Sequence, residues 1–236
     1  MSRRLAPGLG LLCGLAALGL APPAQAQLSG SLALTSDYRL RGVSLTERRP
    51  ALSLGAAYDH PSGAYAGGSV IVADTGGGDV KRLGDIEYIG IAKHHADGLS
   101  WDVGASNTNV KIQVNQRYPV RYNEVYAGVA RNDLSLRVSY SPNYLHSGVD
   151  TLYADLSGVY RPAENWRLVA HVGLLKRLDG PTAEVPVRHR YDLMLAAVRG
   201  FDHGELRLAW IAAYATPHPH PSPGRGGIVV GASVFF

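Results

Sequence analysis

The chain of 236 residues has almost no cysteine: Cys13 is the single one. A fold stapled by disulfides is therefore excluded. Phenylalanine is scarce, with three residues against thirteen tyrosines, and lysine is far outnumbered by arginine. Beyond residue 26 there is no run of eighteen apolar residues, which excludes a bundle of membrane helices. Charge excess is small too. The formal net charge is +4, and Arg3 and Arg4 supply two of those charges. Nothing in that balance points to nucleic acid. Glycine is abundant at 28 residues but follows no Gly-X-Y period, so a collagen-like chain is excluded. Aromatic content and low net charge exclude intrinsic disorder.

The first 26 residues read as an export signal. Arg3 and Arg4 are the positive start, Leu9 to Ala21 is the apolar stretch, and Ala24-Gln25-Ala26 is an A-x-A cleavage site. The expected mature chain begins at Gln27 and carries no cysteine.

From residue 30 onward the chain alternates apolar and polar residues with period two, the mark of strands with two unlike faces. Leu134, Leu136, Val138 and Tyr140 oppose Ser135, Arg137 and Ser139. Twelve strands are expected, at 30–42, 50–59, 63–73, 83–95, 98–110, 121–131, 133–145, 149–161, 165–178, 188–200, 204–215 and 226–236. Short turns such as His60-Pro61-Ser62 and Asn132-Asp133 alternate with longer connections such as 111–120 and 216–225. That rhythm fits an all-β fold: a single transmembrane antiparallel up-and-down barrel with short periplasmic turns and longer extracellular loops. Two domains of the chain follow, a cleaved segment 1–26 and a barrel 27–236. Tyr58, Tyr65, Trp101, Tyr160 and Trp166 are expected in a girdle near the short turns. Tyr38, Tyr88, Tyr122, Tyr144, Tyr153, Tyr191 and Tyr214 are expected in one near the long loops.

Charges are costly against lipid, so charged residues are expected inside. The expected pore lining is Asp37, Arg39, Arg41, Asp85, Glu87, Asp102, Glu124, Arg137, Asp155, Arg167, His171, Asp192 and Arg207. They either hold a hydrated pore or pair into a plug. The last strand ends in Phe. Gly231, Val234 and Phe236 look like the terminal signal read by the outer-membrane barrel assembly machinery.

No metal or cofactor is expected. His218 and His220 lie in a proline-stiffened loop without carboxylates. The triglycine Gly76-Gly77-Gly78 is not followed by G-K-[ST], so it is not a phosphate loop. An enzyme is not expected, because no G-x-S-x-G elbow occurs; a lipid hydrolase and a non-conducting structural or interaction barrel are the rival readings.

The stretch Leu32 to Ser44, LALTSDYRLRGVS, followed by Arg49-Pro50-Ala51-Leu52, resembles the opening of the proteobacterial Gcw_chp family, also called the TorF family of porins. Tyr65-Ala66-Gly67-Gly68, Tyr122 to Gly128, Ser139 to Tyr144 and Ala170 to Gly173 resemble further landmarks of it. The resemblance spans nearly the whole expected mature chain. It implies an outer-membrane barrel of a Gram-negative bacterium, passing small solutes or ions and surrounded by outer-membrane lipid. It carries no catalytic set. The segment Leu45 to Arg49 is more basic than the family pattern.

Overall fold

The computed structural model describes residues 27–74, 79–111, 119–145, 148–180, 188–216 and 226–236. The export segment with Ala24 and Ala26, the Gly76–Gly78 triplet and the His218/His220 loop lie outside the described residues. Among the described residues every regular element is a strand: β1 (Gln27–Thr35), β2 (Arg39–Leu40), β3 (Val43–Ser44), β4 (Ala51–Asp59), β5 (Ala64–Asp74), β6 (Val80–His94), β7 (Leu99–Lys111), β8 (Pro119–Arg131), β9 (Leu134–Tyr144), β10 (Val149–Ala163), β11 (Trp166–Asp179), β12 (His189–Phe201), β13 (Gly204–Thr216) and β14 (Gly227–Phe235).

Twelve of these close into one antiparallel barrel. Each wall strand pairs with its sequence neighbour, and β1 pairs with both β4 and β14. Closure removes every open sheet edge, the condition for strands to stand in hydrocarbon. The short connections are tight hairpins. At His60–Ala64 and His95–Leu99 the same pair of backbone hydrogen bonds closes the turn, and Gly63 and Gly98 take the left-handed position that the geometry demands.

The first expected strand, 30–42, is cut short. The wall strand ends at Thr35, and residues 36–49 leave the wall as the β2–β3 hairpin. Arg41 and Gly42, at φ +48° and +76°, form a two-residue turn with both centres left-handed, as in a type I′ hairpin. Alternation continues through such a hairpin, so period two alone cannot separate it from a longer strand.

The wall has two chemically opposite faces. Outward rows carry Leu32 and Leu34 on β1, Leu52 and Leu54 on β4, Leu168 and Val172 on β11, Leu206 and Leu208 on β13, and Ile228, Val230 and Val234 on β14, all exposed. Inward rows carry Ser53, Ser69, Asp102, Glu124, Asp155 and Asp192, all buried. This inverts a water-soluble barrel and matches a lipid-facing one.

The aromatic girdles need correction. Tyr58, Trp101, Tyr160 and Trp166 do lie outward near the short turns, and Tyr191 and Tyr214 lie outward at the other end. Tyr38, Tyr122, Tyr144 and Tyr153 are instead buried inside, where they pack with Leu45, Ile71, Val110, Val120 and Leu175 in an apolar layer at the long-loop end. Tyr65 and Tyr88 also turn inward; Tyr65 bonds the buried Asp102, and its ring lies 6.2 Å from that of Tyr88.

Several inner tyrosines lie flat on neighbouring strands because glycine stands beneath them. A Cβ on Gly104 would sit 2.5 Å from the Tyr126 hydroxyl. On Gly90 it would sit 2.5 Å from that of Tyr65, on Gly67 2.4 Å from that of Tyr88, and on Gly173 2.3 Å from that of Tyr153. Ring-over-glycine pairing of this kind fixes cross-strand register.

Candidate functional site

The site is the barrel interior, and its centre is the hairpin of residues 36–49. One carboxylate organises it. Asp37 accepts hydrogen bonds from Arg39 Nε (2.6 Å) and the Ser44 hydroxyl (2.6 Å). The Thr46 hydroxyl (3.1 Å) and the Arg48 N–H (3.3 Å) also donate to it. The Tyr38 N–H donates in turn to Thr46 Oγ1 at 2.9 Å. Asp37 and Arg39 are only 3% and 2% exposed. A charge so buried persists only when paired and fully hydrogen-bonded. The Ser-Asp-Tyr-x-x-Arg-Gly-x-Ser pattern of residues 36–44 therefore encodes a self-satisfied knot.

Two contacts latch the knot to the wall. Arg41 Nη2 donates to both oxygens of Glu124 on β8, at 2.7 and 2.6 Å. Its guanidinium also lies 3.9 Å from the Tyr153 ring centroid and 5.2 Å from that of Tyr122. Arg39 Nη1 donates to the Ile211 carbonyl of β13 at 3.3 Å. Gly42 rests on β12 and β13 so closely that a Cβ would meet the Ala212 carbonyl oxygen at 2.6 Å and Asp192 Cβ at 2.8 Å. With φ at +76°, only glycine serves there. Tyr38 and Leu45 complete the docking inside the apolar layer. The hairpin thus fills the long-loop half of the interior.

Below it, acids and bases interleave. Asp102 takes Arg137 Nη2 at 2.8 Å and the Tyr65 hydroxyl at 2.8 Å. Tyr65 and Tyr126 share a hydroxyl contact at 2.8 Å, and Arg137 lies 4.5 Å from the Tyr126 centroid. Glu205 is bridged by Arg167 and, at 3.5 Å, by Arg207. Asp155 stands opposite Arg137 across the β9–β10 pair. Ser157 Oγ contacts His171 Nδ1 at 2.9 Å, and His171 Nε2 contacts Asp192 Oδ1 at 3.0 Å, with the Tyr153 hydroxyl bonded to Asp192 at 3.2 Å. Among the described residues no group of three His, Cys, Asp or Glu side chains could hold a metal ion.

The expected lining is thus partly rearranged. Asp102, Glu124, Arg137, Asp155, Arg167, His171, Asp192 and Arg207 project inward from the wall. Asp37, Arg39 and Arg41 lie inside too, but on the hairpin and not on a wall strand. Asp85 and Glu87 face outward. They share parity with the exposed Ile89 and Ile91, and they pair with Val70 and Gly68 on the outer row of β5. Charge suggested the interior, and the alternation of β6 overrides it. Interior residues that sequence reasoning missed include Tyr38, Tyr65, Tyr88, Tyr122, Tyr126, Tyr144, Tyr153, Ser157, Arg190 and Glu205. A signal existed for Tyr122 and Tyr126, because both share parity with Glu124 and oppose the outward Val125.

Comparison with solved structures shows the same fold at low identity. The KdgM porin superposes with a TM-score of 0.52 at 12% identity, covering 88% of this chain and 99% of that one. The NanC porin gives 0.50 at 10% identity, with 89% and 98% covered. The KdgM porin in complex with disordered oligogalacturonate gives 0.50 at 11%, with 90% and 99% covered. No curated protein matches the chain in sequence. A family model, described as a bacterial protein of unknown function (Gcw_chp), matches residues 21–221. With its knot-forming opening motif inside that span, the chain belongs to the Gcw_chp family.

Proposed function

We propose that the protein is an outer-membrane channel of a Gram-negative bacterium for passive diffusion of small solutes or ions, constricted from within by the 36–49 hairpin. The apolar outer wall and charged interior support it, as does the likeness in fold to porins. The observation that carries it is the charge-lined interior inside an apolar wall: Asp102, Glu124, Asp155, Asp192 and Glu205 project inward from the same wall as Arg137, Arg167, Arg190 and Arg207. Arg41 and Arg190 lie in the hairpin layer, where Glu124 is bonded to Arg41 and Asp192 is the next inward residue to Arg190 on β12. Arg190 Nη2 donates to the Tyr144 hydroxyl at 3.1 Å. Arg41 Nη1 and Arg190 Nε are buried without a hydrogen-bond partner. The three arginines lower in the barrel, Arg137, Arg167 and Arg207, are matched by three carboxylates, Asp102, Asp155 and Glu205.

Planar-bilayer recording under a salt gradient tests this. The parent protein should conduct. Arg190→Gln, which removes a positive charge and leaves the Asp37 knot intact, should shift the ion preference toward cations about two-fold. A parent protein that inserts but never conducts would establish the rival, a non-conducting structural barrel.

The Ser157–His171–Asp192 chain does not support a hydrolase. Ser157 is 2% exposed, and it is paired on both sides, with Ser135 and with His171. The proposal includes export and assembly: material recovered from the outer membrane should begin at Gln27, and intact Met1 on that material would contradict it. The barrel assembly machinery is the proposed partner for insertion.

A further inference from the structure

The outer wall is not equally apolar all round. On β11 the outward row runs from Trp166 to Lys176, and on β12 from Arg199 to His189, with apolar residues between. Ten residues at about 3.3 Å each, tilted by about 40°, give a band about 25 Å tall. On β6 the outward row passes from Lys93 through Ile91 and Ile89 straight to Glu87 and Asp85. Only about 15 Å separates Lys93 from Glu87 by the same conversion. Glu87 pairs with Gly68 and Asp85 with Val70, both in mid-strand on β5, so the two carboxylates stand at the level of the apolar band. Asn107 and Asn109 follow on β7, and Asn123 and Arg121 on β8, all outward. Asn107 Nδ2 donates to Asn123 Oδ1 at 2.6 Å, and Arg121 Nε to Asn109 Oδ1 at 2.8 Å. The wall β6–β8 is therefore notched by charged and amide groups where lipid tails would lie, which is costly for each of them.

We propose that a second copy of this chain covers the notch, packed about a two-fold axis along the membrane normal. The inference rests on the membrane reading given above. Such an axis keeps every residue at its own height, places β7 against β7, and sets β6 of one copy against β8 of the other. The Glu87 carboxylate then faces Arg121 of the second copy, while Asp85 accepts from Arg82 Nη2 of its own chain at 2.6 Å. Arg121 spends only Nε on Asn109 and keeps its Nη groups for a carboxylate. Asn107 and Asn109 face their own counterparts, and an amide is both donor and acceptor. The notch is thus complementary to itself under this one symmetry. A lipid headgroup carries phosphate, which does not complement the Glu87 carboxylate.

The test uses the full chain with Cys13→Ser, reconstituted in lipid vesicles. Asn107→Cys, near the axis, should give a disulfide-linked dimer on oxidation with copper phenanthroline and air, whereas Val172→Cys on β11 should not. Glu87→Lys should reduce the crosslink at residue 107 at least five-fold, and adding Arg121→Glu should restore it. Equal crosslinking at 107 and 172 would mean random collision, and a vesicle-inserted protein that never crosslinks at 107 would be monomeric; either overturns the proposal. Dependence on anionic lipid without any dimer would assign the notch to lipid and overturn it as well. Protein that fails to float with the vesicles would instead overturn the membrane reading.

Discussion

Replacing Asp37 by alanine should raise single-channel conductance several-fold while leaving the barrel closed. The carboxylate holds Arg39, Ser44, Thr46 and the Arg48 N–H together in a region where Asp37 and Arg39 are almost fully buried. Without it the buried Arg39 guanidinium keeps the Gly42 and Ile211 carbonyls but loses its carboxylate, and removing one member of a buried ion pair costs about 3–5 kcal/mol. The hairpin escapes that cost by leaving the interior for water. The wall has no reason to follow, because its strands draw their hydrogen bonds from each other. Asp37→Asn should act in the same direction and less strongly, since an amide oxygen can still accept from Ser44 and Thr46. Planar-bilayer recording reads the effect, and the heat-dependent shift in gel mobility reports whether the barrel is intact. Unchanged conductance through an intact Asp37→Ala barrel would mean that the hairpin is not the constriction.

The second large effect is expected at the seam. β1 meets β14 over the register Ser31–Phe235 to Thr35–Gly231, about half the length of its pairing with β4. Three further backbone bonds extend it: Gly30 N–H to the Phe236 carbonyl at 2.7 Å, Phe236 N–H to the Gly30 carbonyl at 3.1 Å and, at the other end, Ser36 N–H to the Val230 carbonyl at 2.9 Å. The Phe236 ring lies across Gly30 so closely that a Cβ there would stand 2.2 Å from ring carbon Cε2. Gly30→Val should therefore lift the ring and loosen the closing register. Deleting Phe235 and Phe236 removes part of the seam outright. Each unpaired backbone group facing lipid costs several kcal/mol. Both variants should lower the yield of heat-modifiable barrel several-fold, with the deletion more severe, while Ser233→Ala in the same strand should be nearly silent. Full yield after the deletion would show that closure does not depend on these residues.

Period two, turn residues and the alternation of short with long connections made the twelve-stranded barrel readable in the sequence. The wall strands fall close to the expected positions because each row has a lipid side and an inner side with different chemistry. The hairpin was hidden for the opposite reason. Its residues alternate like a strand, and what bends them inward is a tertiary demand: Asp37 needs Ser44, Thr46 and Arg48 around it. Asp85 and Glu87 show the limit of reasoning from charge, since parity with Ile89 and Ile91 placed them outside. Tyrosine is ambiguous by nature, having an apolar ring and a polar tip. Tyr122 and Tyr153 use both ends inside, as a stack for Arg41, and composition could not separate that from an interfacial belt.

The inner tyrosines laid over glycines carry a consequence for the bore. A ring lying flat against bare backbone takes up its thickness from the passage, and a ring standing upright takes up its length. Gly67, Gly90 and Gly104 hold Tyr88, Tyr65 and Tyr126 in the flat position within one sector of the wall. A single methyl group at any of the three would tip a hydroxyl toward the axis. The calibre of that sector is therefore set by three hydrogen atoms, and a one-carbon change would grade it without altering charge, strand number or seam.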